Sequence, residues 1–204
     1  MPQSPIQTLG FALNKALVSK PLRAGAQQSL FVSQRHGLLY EPSYAGNIGV
    51  VANPSAVTTS AALATTYVGL CLSNPATSTV NLAVLNVSAS LLVAPSTITT
   101  MFLAGGYAAG GVTAHTTALT PLASVLGVTS TLQGLADSAC TLVGTPAYLR
   151  VLGQAPTATT SFAVNVNIDG SIIIPPGGYV CIATNIAGPA SGFVGSMMWE
   201  ENPL

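Results

Sequence analysis

The sequence predicts an all-β protein: a jelly-roll-like antiparallel β-sandwich body over residues 46–204, preceded by an extended N-terminal arm over residues 1–45. Three observations carry this reading. From residue 46 onward, apolar runs of strand length recur between Gly, Pro and Asn turn signals, the pattern of a sandwich or barrel. Periodic helical faces are scarce in the same region. Charge also changes abruptly: Lys15, Lys20, Arg23, Arg35 and Glu41 lie in the first 41 residues, and then only Asp137 carries a charge before Arg150.

Composition narrows the class. Charged residues make up 5% of the 204, against about 25% in ordinary soluble proteins. Apolar residues at 49% are too abundant for a disordered chain, which fails to fold because it has little to bury. Leu82–Pro95, the most apolar run, is interrupted by Asn86, Ser88 and Ser90 and falls short of the roughly 20 residues of a membrane span. No membrane partner is expected. A net charge of zero gives little repulsion between copies, and sparse charge is the composition of interface cores. An assembling protein with a neutral surface follows. Cys71, Cys140 and Cys181 lie far apart and are odd in number, and no secretion signal is visible. Buried free thiols from a reducing cytoplasm are expected, with no disulfide and no metal.

The elements follow in order. In the arm, Phe11 to Val18 fits a short helix and the rest reads as extended chain. Its four basic residues, Lys15, Lys20, Arg23 and Arg35, are spread over 21 positions without clustering. That argues for contacts to a protein partner and against nucleic acid, whose footprint needs a cluster. In the body, "NIGVVANPS" and "TTYVGLCLSNP" are strands closed by Asn-Pro turns. "STVNLAVLNVSASLLVAP" exceeds the usual 5–6 residues and requires a bend or two strands. "STITTMFLAGG", "DSACTLVG", "AYLRVLG", "SFAVNVNI", "SIIIP", "GYVCIATN" and "GFVGSMMWEE" supply further strands. Thr120 to Gly127 fits a short helix or turn.

The segment "SFAVNVNIDGSIIIPPGGYV" is the most informative. Val164 and Val166 share one face, Asn165 and Asn167 the other. A three-residue hairpin loop, Ile168-Asp169-Gly170, would pair Val166 with Ile172 and Val164 with Ile174 and place Gly170 at the left-handed position. Pro175-Pro176 then ends the strand, since proline donates no ladder hydrogen bond, and Gly177-Gly178 turns the chain into the next strand.

Little in the sequence could do chemistry. His36 and His115 are the only histidines; His115, in "GGVTAHTTAL", has no carboxylate or cysteine nearby in sequence and reads as a hydrogen-bonding loop residue. Zinc needs three or four ligands. There is no GxSxG elbow, and the aspartates are Asp137 and Asp169 alone. Glu200 and Glu201 are adjacent, so on a strand they point to opposite faces, and they read as residues that keep a terminal strand soluble. "AGGYAAGGV" lacks GxGxxG and a following Lys-Ser/Thr, so it is a loop without a phosphate role. Trp199 reads as a core anchor. No cofactor and no enzymatic activity are expected.

Two stretches, "YVGLCLSNPATSTVNLAVLNVSASLLVAPSTITTMFLAGG" (67–106) and "DGSIIIPPGGYVCIATN…GFVGSMMWEE" (169–201), resemble small virion proteins of tailed bacteriophages with a jelly-roll-like body. The resemblance spans roughly residues 65–203 and excludes the arm. It implies a structural role: a capsid decoration (cement) protein made in the host cytoplasm, sitting on the phage head surface and bridging major capsid protein subunits. By analogy it also implies a homotrimer. The alternative is a phage tail or receptor-binding component whose loops bind host glycan.

Overall fold

The computed structural model describes residues 7–11, 17–21, 37–59, 63–108, 112–127, 129–157, 162–186 and 192–204. The chain divides into two units, Met1–Leu38 and Leu39–Leu204. In the first, β1 (Gln7–Phe11) pairs antiparallel with β2 (Leu17–Pro21), with Phe11 opposite Leu17. This corrects the helix expected over Phe11–Val18, whose ends lie in two paired strands. Lys20 is in β2, while Lys15, Arg23, Arg35 and His36 lie outside the described residues.

The second unit opens with one turn of helix, α1 (Tyr40–Tyr44), and is otherwise β. Its strands are β3 (Ile48–Ala52), β4 (Thr66–Ser73), β5 (Val80–Leu91), β6 (Thr99–Tyr107), β7 (Val112–Leu119), β8 (Leu122–Ala123), β9 (Leu135–Leu142), β10 (Ala147–Ala155), β11 (Phe162–Ile174), β12 (Gly178–Thr184) and β13 (Phe193–Pro203). They form two antiparallel sheets, a six-stranded one in the order β10-β6-β12-β4-β9-β7 and a five-stranded one in the order β11-β5-β13-β3-β8. Most successive strands alternate between the sheets; only the β6–β7 and β9–β10 connections stay within one. The all-β sandwich expected from the sequence is the observed architecture.

The main core lies between the sheets. Leu70 and Leu72 from β4, Met101 and Leu103 from β6, and Val180 and Ile182 from β12 meet Leu82, Val84, Val87 and Leu91 from β5 with Phe193, Met197 and Trp199 from β13. Trp199 is fully buried, as expected of the core anchor. Its indole Nε1 donates to Glu201 Oε1 at 3.3 Å. Glu201 itself is buried and accepts from the Gln133 N–H at 2.9 Å and the Gly134 N–H at 2.8 Å. It is therefore not a solubilising charge. It fixes the strand's end to the segment before β9 by charge-assisted hydrogen bonds.

The hairpin expected at Ile168-Asp169-Gly170 is not there. Phe162–Ile174 is a single strand, and both its halves pair with β5: Asn167 lies opposite Asn86 and Ile172 opposite Val84. Between these pairs β11 takes five steps and β5 two, so Ile168–Ser171 forms a bulge containing three extra residues. Asp169 and Gly170 sit at φ 52° and 73°, and Ser171 Oγ donates to Ile168 O at 2.6 Å. Gly170 thus occupies the left-handed conformation expected of it, in a different element. The side-chain parity is also the expected one: Val164, Val166, Ile172 and Ile174 all pack on the core. A hairpin and a three-residue bulge both preserve that parity, so alternation could not separate them. The partner decides, because the long β5 continues past both halves. That strand bends at Leu85, an extra residue relative to β13, and its buried positions switch there from Leu82 and Val84 to Val87, Ala89 and Leu91.

The Pro-Pro-Gly-Gly turn is as expected. The Gly178 N–H donates to Pro175 O at 2.8 Å with Gly177 at φ 85°, a type II turn with proline and glycine in their preferred places. Asn74, from the Asn-Pro turn after β4, holds this corner. Its Nδ2 donates to Val80 O at 2.8 Å and Ile174 O at 3.0 Å, while its backbone exchanges hydrogen bonds with Gly177 and Gly178. Thr120–Gly127 contains the two-residue strand β8 and then a turn.

Candidate functional site

Strand alternation puts a second, smaller core on the opposite face of the six-stranded sheet. There Tyr67 and Cys71 of β4, Ala104 of β6, Cys140 and Leu142 of β9, and Tyr179, Cys181 and Ala183 of β12 are buried together, with Leu63 and Val112 packed against them. Register explains the convergence. Cys71 pairs across strands with Cys181 on one side and Asp137 on the other, and Tyr67 pairs with Cys140. Three cysteines remote in sequence therefore meet, and all three are free thiols.

Asp137 is fully buried and His115, on the edge strand β7, reaches it: Nδ1 lies 2.7 Å from Asp137 Oδ2. The other carboxylate oxygen, Oδ1, is buried without a hydrogen-bond partner. Burial pushes the Asp137 carboxyl above its ordinary range, and the His115 contact pulls in the opposite direction. The Cys71 thiol is held well above its ordinary value by its hydrogen bond with Cys140 and then by burial. Burial raises Cys181 strongly, with Cys140 adding to it. Burial likewise raises Tyr67 well above the ordinary phenol value and Tyr179 to about 12.

Tyr67 has a structural task of its own. Its hydroxyl accepts from the Leu70 N–H at 2.9 Å and donates to Ile182 O at 2.6 Å, closing the bulge at Gly69 that shifts the β4–β9 register. Tyr179 donates to Gly144 O at 2.7 Å.

The chemistry available here is limited. A nucleophilic cysteine needs a lowered pKa and access; Cys71 and Cys181 are raised, and all three thiols are buried. His115 and Asp137 reproduce the base and its orienting carboxylate, but among the described residues no Ser, Thr or Cys side chain is hydrogen-bonded to His115. No group of three or more His, Cys, Asp or Glu side chains among the described residues is arranged to hold a metal ion. No described helix is long and apolar enough to cross a membrane.

His115 is a strand residue paired to a carboxylate, not the loop residue expected. The pair spans 22 positions, and the exposed strand β7 carries no apolar face that would mark it in the sequence. One signal points to it: an aspartate within the apolar strand "DSACTLVG" must find a partner when buried, and His115 and Arg150 are the only basic side chains in residues 46–204. Asp169 and Gly170 lie in the β11 bulge, Pro175–Gly178 form the corner, and Trp199 is in the main core. None of these joins the thiol cluster. No family model, no curated protein and no solved structure matches this chain.

Proposed function

We propose that the chain is a non-enzymatic structural protein of a tailed-bacteriophage virion: a capsid decoration (cement) protein that stabilises the head by bridging major capsid protein subunits. One observation supports this most: the surface of the sandwich suits contact better than solvation. Fifteen large apolar side chains of the second unit are exposed among the described residues. Arg150 is the only Lys or Arg after residue 38. The three thiols are buried, and the histidine–carboxylate pair has no nucleophile hydrogen-bonded to it among the described residues. In a cement role, burial of neutral surface between capsid subunits raises the cost of separating them, and an interface of about 800 Å² per partner, repeated over a shell, multiplies a modest gain.

The second reading, a tail or receptor-binding component, is favoured by the outer face of the five-stranded sheet. Two adjoining concavities of about 380 and 470 Å³ share Ala52 and Ser196 there. Asn86 Nδ2 donates to Asn165 Oδ1 at 2.6 Å and Asn167 Oδ1 at 2.8 Å beside them, an uncharged polar array of the kind a neutral glycan would meet. Electron microscopy of intact particles carrying a labelled copy separates the readings. Label over the head supports the cement role, label at the tail tip supports the second, and particles without label refute both.

A further inference from the structure

At one edge of the sandwich, β10 and β11 are the outermost strands of their sheets and lie against each other; Gly153 of β10 approaches Phe162 and Val164 of β11. A groove of about 260 Å³ runs along this edge, lined by Tyr107, Leu149 and Ile173 among others. These three are 69%, 49% and 60% exposed. On the adjoining part of β10, Val151 and Tyr148 are also exposed, Tyr148 packed on Phe102 with ring centroids 4.1 Å apart. Together the five expose on the order of 500 Å² of side chain, tyrosine hydroxyls included, and exposed apolar surface on this scale is the kind that marks interaction sites.

The two charges at this edge identify its occupant. Arg150 follows Leu149 on β10, and Asp169 lies four residues before Ile173 in the β11 bulge; both are exposed. The one ion pair among the described residues is His115–Asp137, so neither has an ionic partner among them. An apolar patch carrying a single cation and a single anion is self-complementary in charge, which is what a twofold contact requires: residue i of one copy meets j of the other, and j meets i. Threefold closure, expected from the resemblance alone, instead needs two different complementary patches. Strand addition is disfavoured, because β10 is irregular at two places along its pairing with β6 and β11 carries its own bulge.

We propose that the β10–β11 edge is an isologous contact between two copies of this chain, in which the Tyr107–Leu149–Ile173 groove packs on its symmetry mate and Arg150 of each copy faces Asp169 of the other. The inference is independent of any role on a phage head. Sedimentation velocity of the full chain at micromolar concentration tests it, with circular dichroism melts confirming that each variant is folded. The wild type is expected to be a dimer and Ile173→Asp a monomer that still melts cooperatively, its transition lowered only by the lost association. Arg150→Glu sets like charges opposite each other and should weaken the dimer at least about tenfold. Adding Asp169→Asn, a residue that tolerates the left-handed backbone there, should recover most of that loss. A monomeric or trimeric wild type overturns the proposal. So does a dimer indifferent to Ile173→Asp, or an Arg150→Glu/Asp169→Asn variant no tighter than Arg150→Glu alone.

Discussion

His115→Ala removes the one hydrogen-bond donor to a fully buried carboxylate whose other oxygen is already without a partner. A hydrogen bond to a charged group contributes about 1.5–3 kcal/mol. The His115 side chain is 35% exposed, so water screens part of that, and a loss of about 1–2 kcal/mol at pH 7 is expected. For a body of this size that lowers the melting temperature by about 2–8 °C. Asp137→Asn is the companion variant: the amide oxygen can still accept from His115 Nδ1, but the charge is gone. Burial raises the Asp137 carboxyl in the folded state, which fixes the sign of its pH dependence. Below the ordinary aspartate value of about 3.9 both folded and unfolded chains are protonated, and its contribution is fully present. As pH rises through the elevated folded value, the folded carboxyl ionises at a cost the unfolded chain does not bear, and the contribution is lost. The stability of wild type relative to Asp137→Asn should therefore be greatest near pH 3 and shrink toward pH 7. Urea unfolding followed by Trp199 fluorescence at stepped pH measures both effects. Parallel pH profiles for wild type and Asp137→Asn, or a His115→Ala variant within about 0.3 kcal/mol of wild type at pH 7, would refute the reasoning.

Gly170→Val forces a β-branched residue to φ 73° and should cost about 1–2 kcal/mol in the same unfolding assay; an unchanged midpoint would mean the bulge relaxes freely. Glu201→Ala strands the Gln133 and Gly134 N–H groups and the Trp199 indole, with an expected loss of about 3 kcal/mol and a shifted Trp199 emission as the readout. Trp199→Ala should cost about 3–5 kcal/mol, enough to bring the melting transition down by many degrees, and a small shift would remove Trp199 from the core. The three thiols should react with a thiol reagent only after urea unfolding, and stoichiometric labelling of the native chain would contradict their burial.

What could be read from the sequence was whatever depended on local pattern. The partial alternation in "NLAVLNVSASL", the short apolar run "YVCIA" and the turn chemistry of Asn74-Pro75 and Pro176-Gly177 suffice for β5, β12 and the corner between them, because run length and turn type are set within a few residues. Features set by distant partners were lost. Nothing near Asp169 says whether the chain reverses there or continues along β5; that depends on a strand some 80 positions earlier. Strand β7 reads as loop because six of its eight residues are exposed and no apolar face marks it. That absence of pattern conceals the His115–Asp137 pair, the one ion pair among the described residues. Glu201 departs from its expected solubilising role for a related reason. An acid near a chain terminus is ordinarily solvated, and the backbone N–H groups that hold this one come from residues 67 and 68 positions away.

The scarcity of charge bears on how these strands avoid aggregating. An exposed edge strand offers unpaired backbone groups to any other chain, and proteins usually blunt it with lysine, proline, bulges or brevity. Four strands bound the two sheets here, and Arg150 is the only Lys or Arg on any of them. The geometric devices stand in its place: β7 shifts register three times against β9, β10 twice against β6, β11 carries the three-residue bulge, and β8 has two residues. Each interruption breaks the run of evenly spaced donors and acceptors that a further strand would need. Such a surface can be neutral enough to bury against a partner and still resist indiscriminate edge pairing. Association is then left to side chains, whose shape and sparse charges can specify one partner where a bare backbone edge cannot.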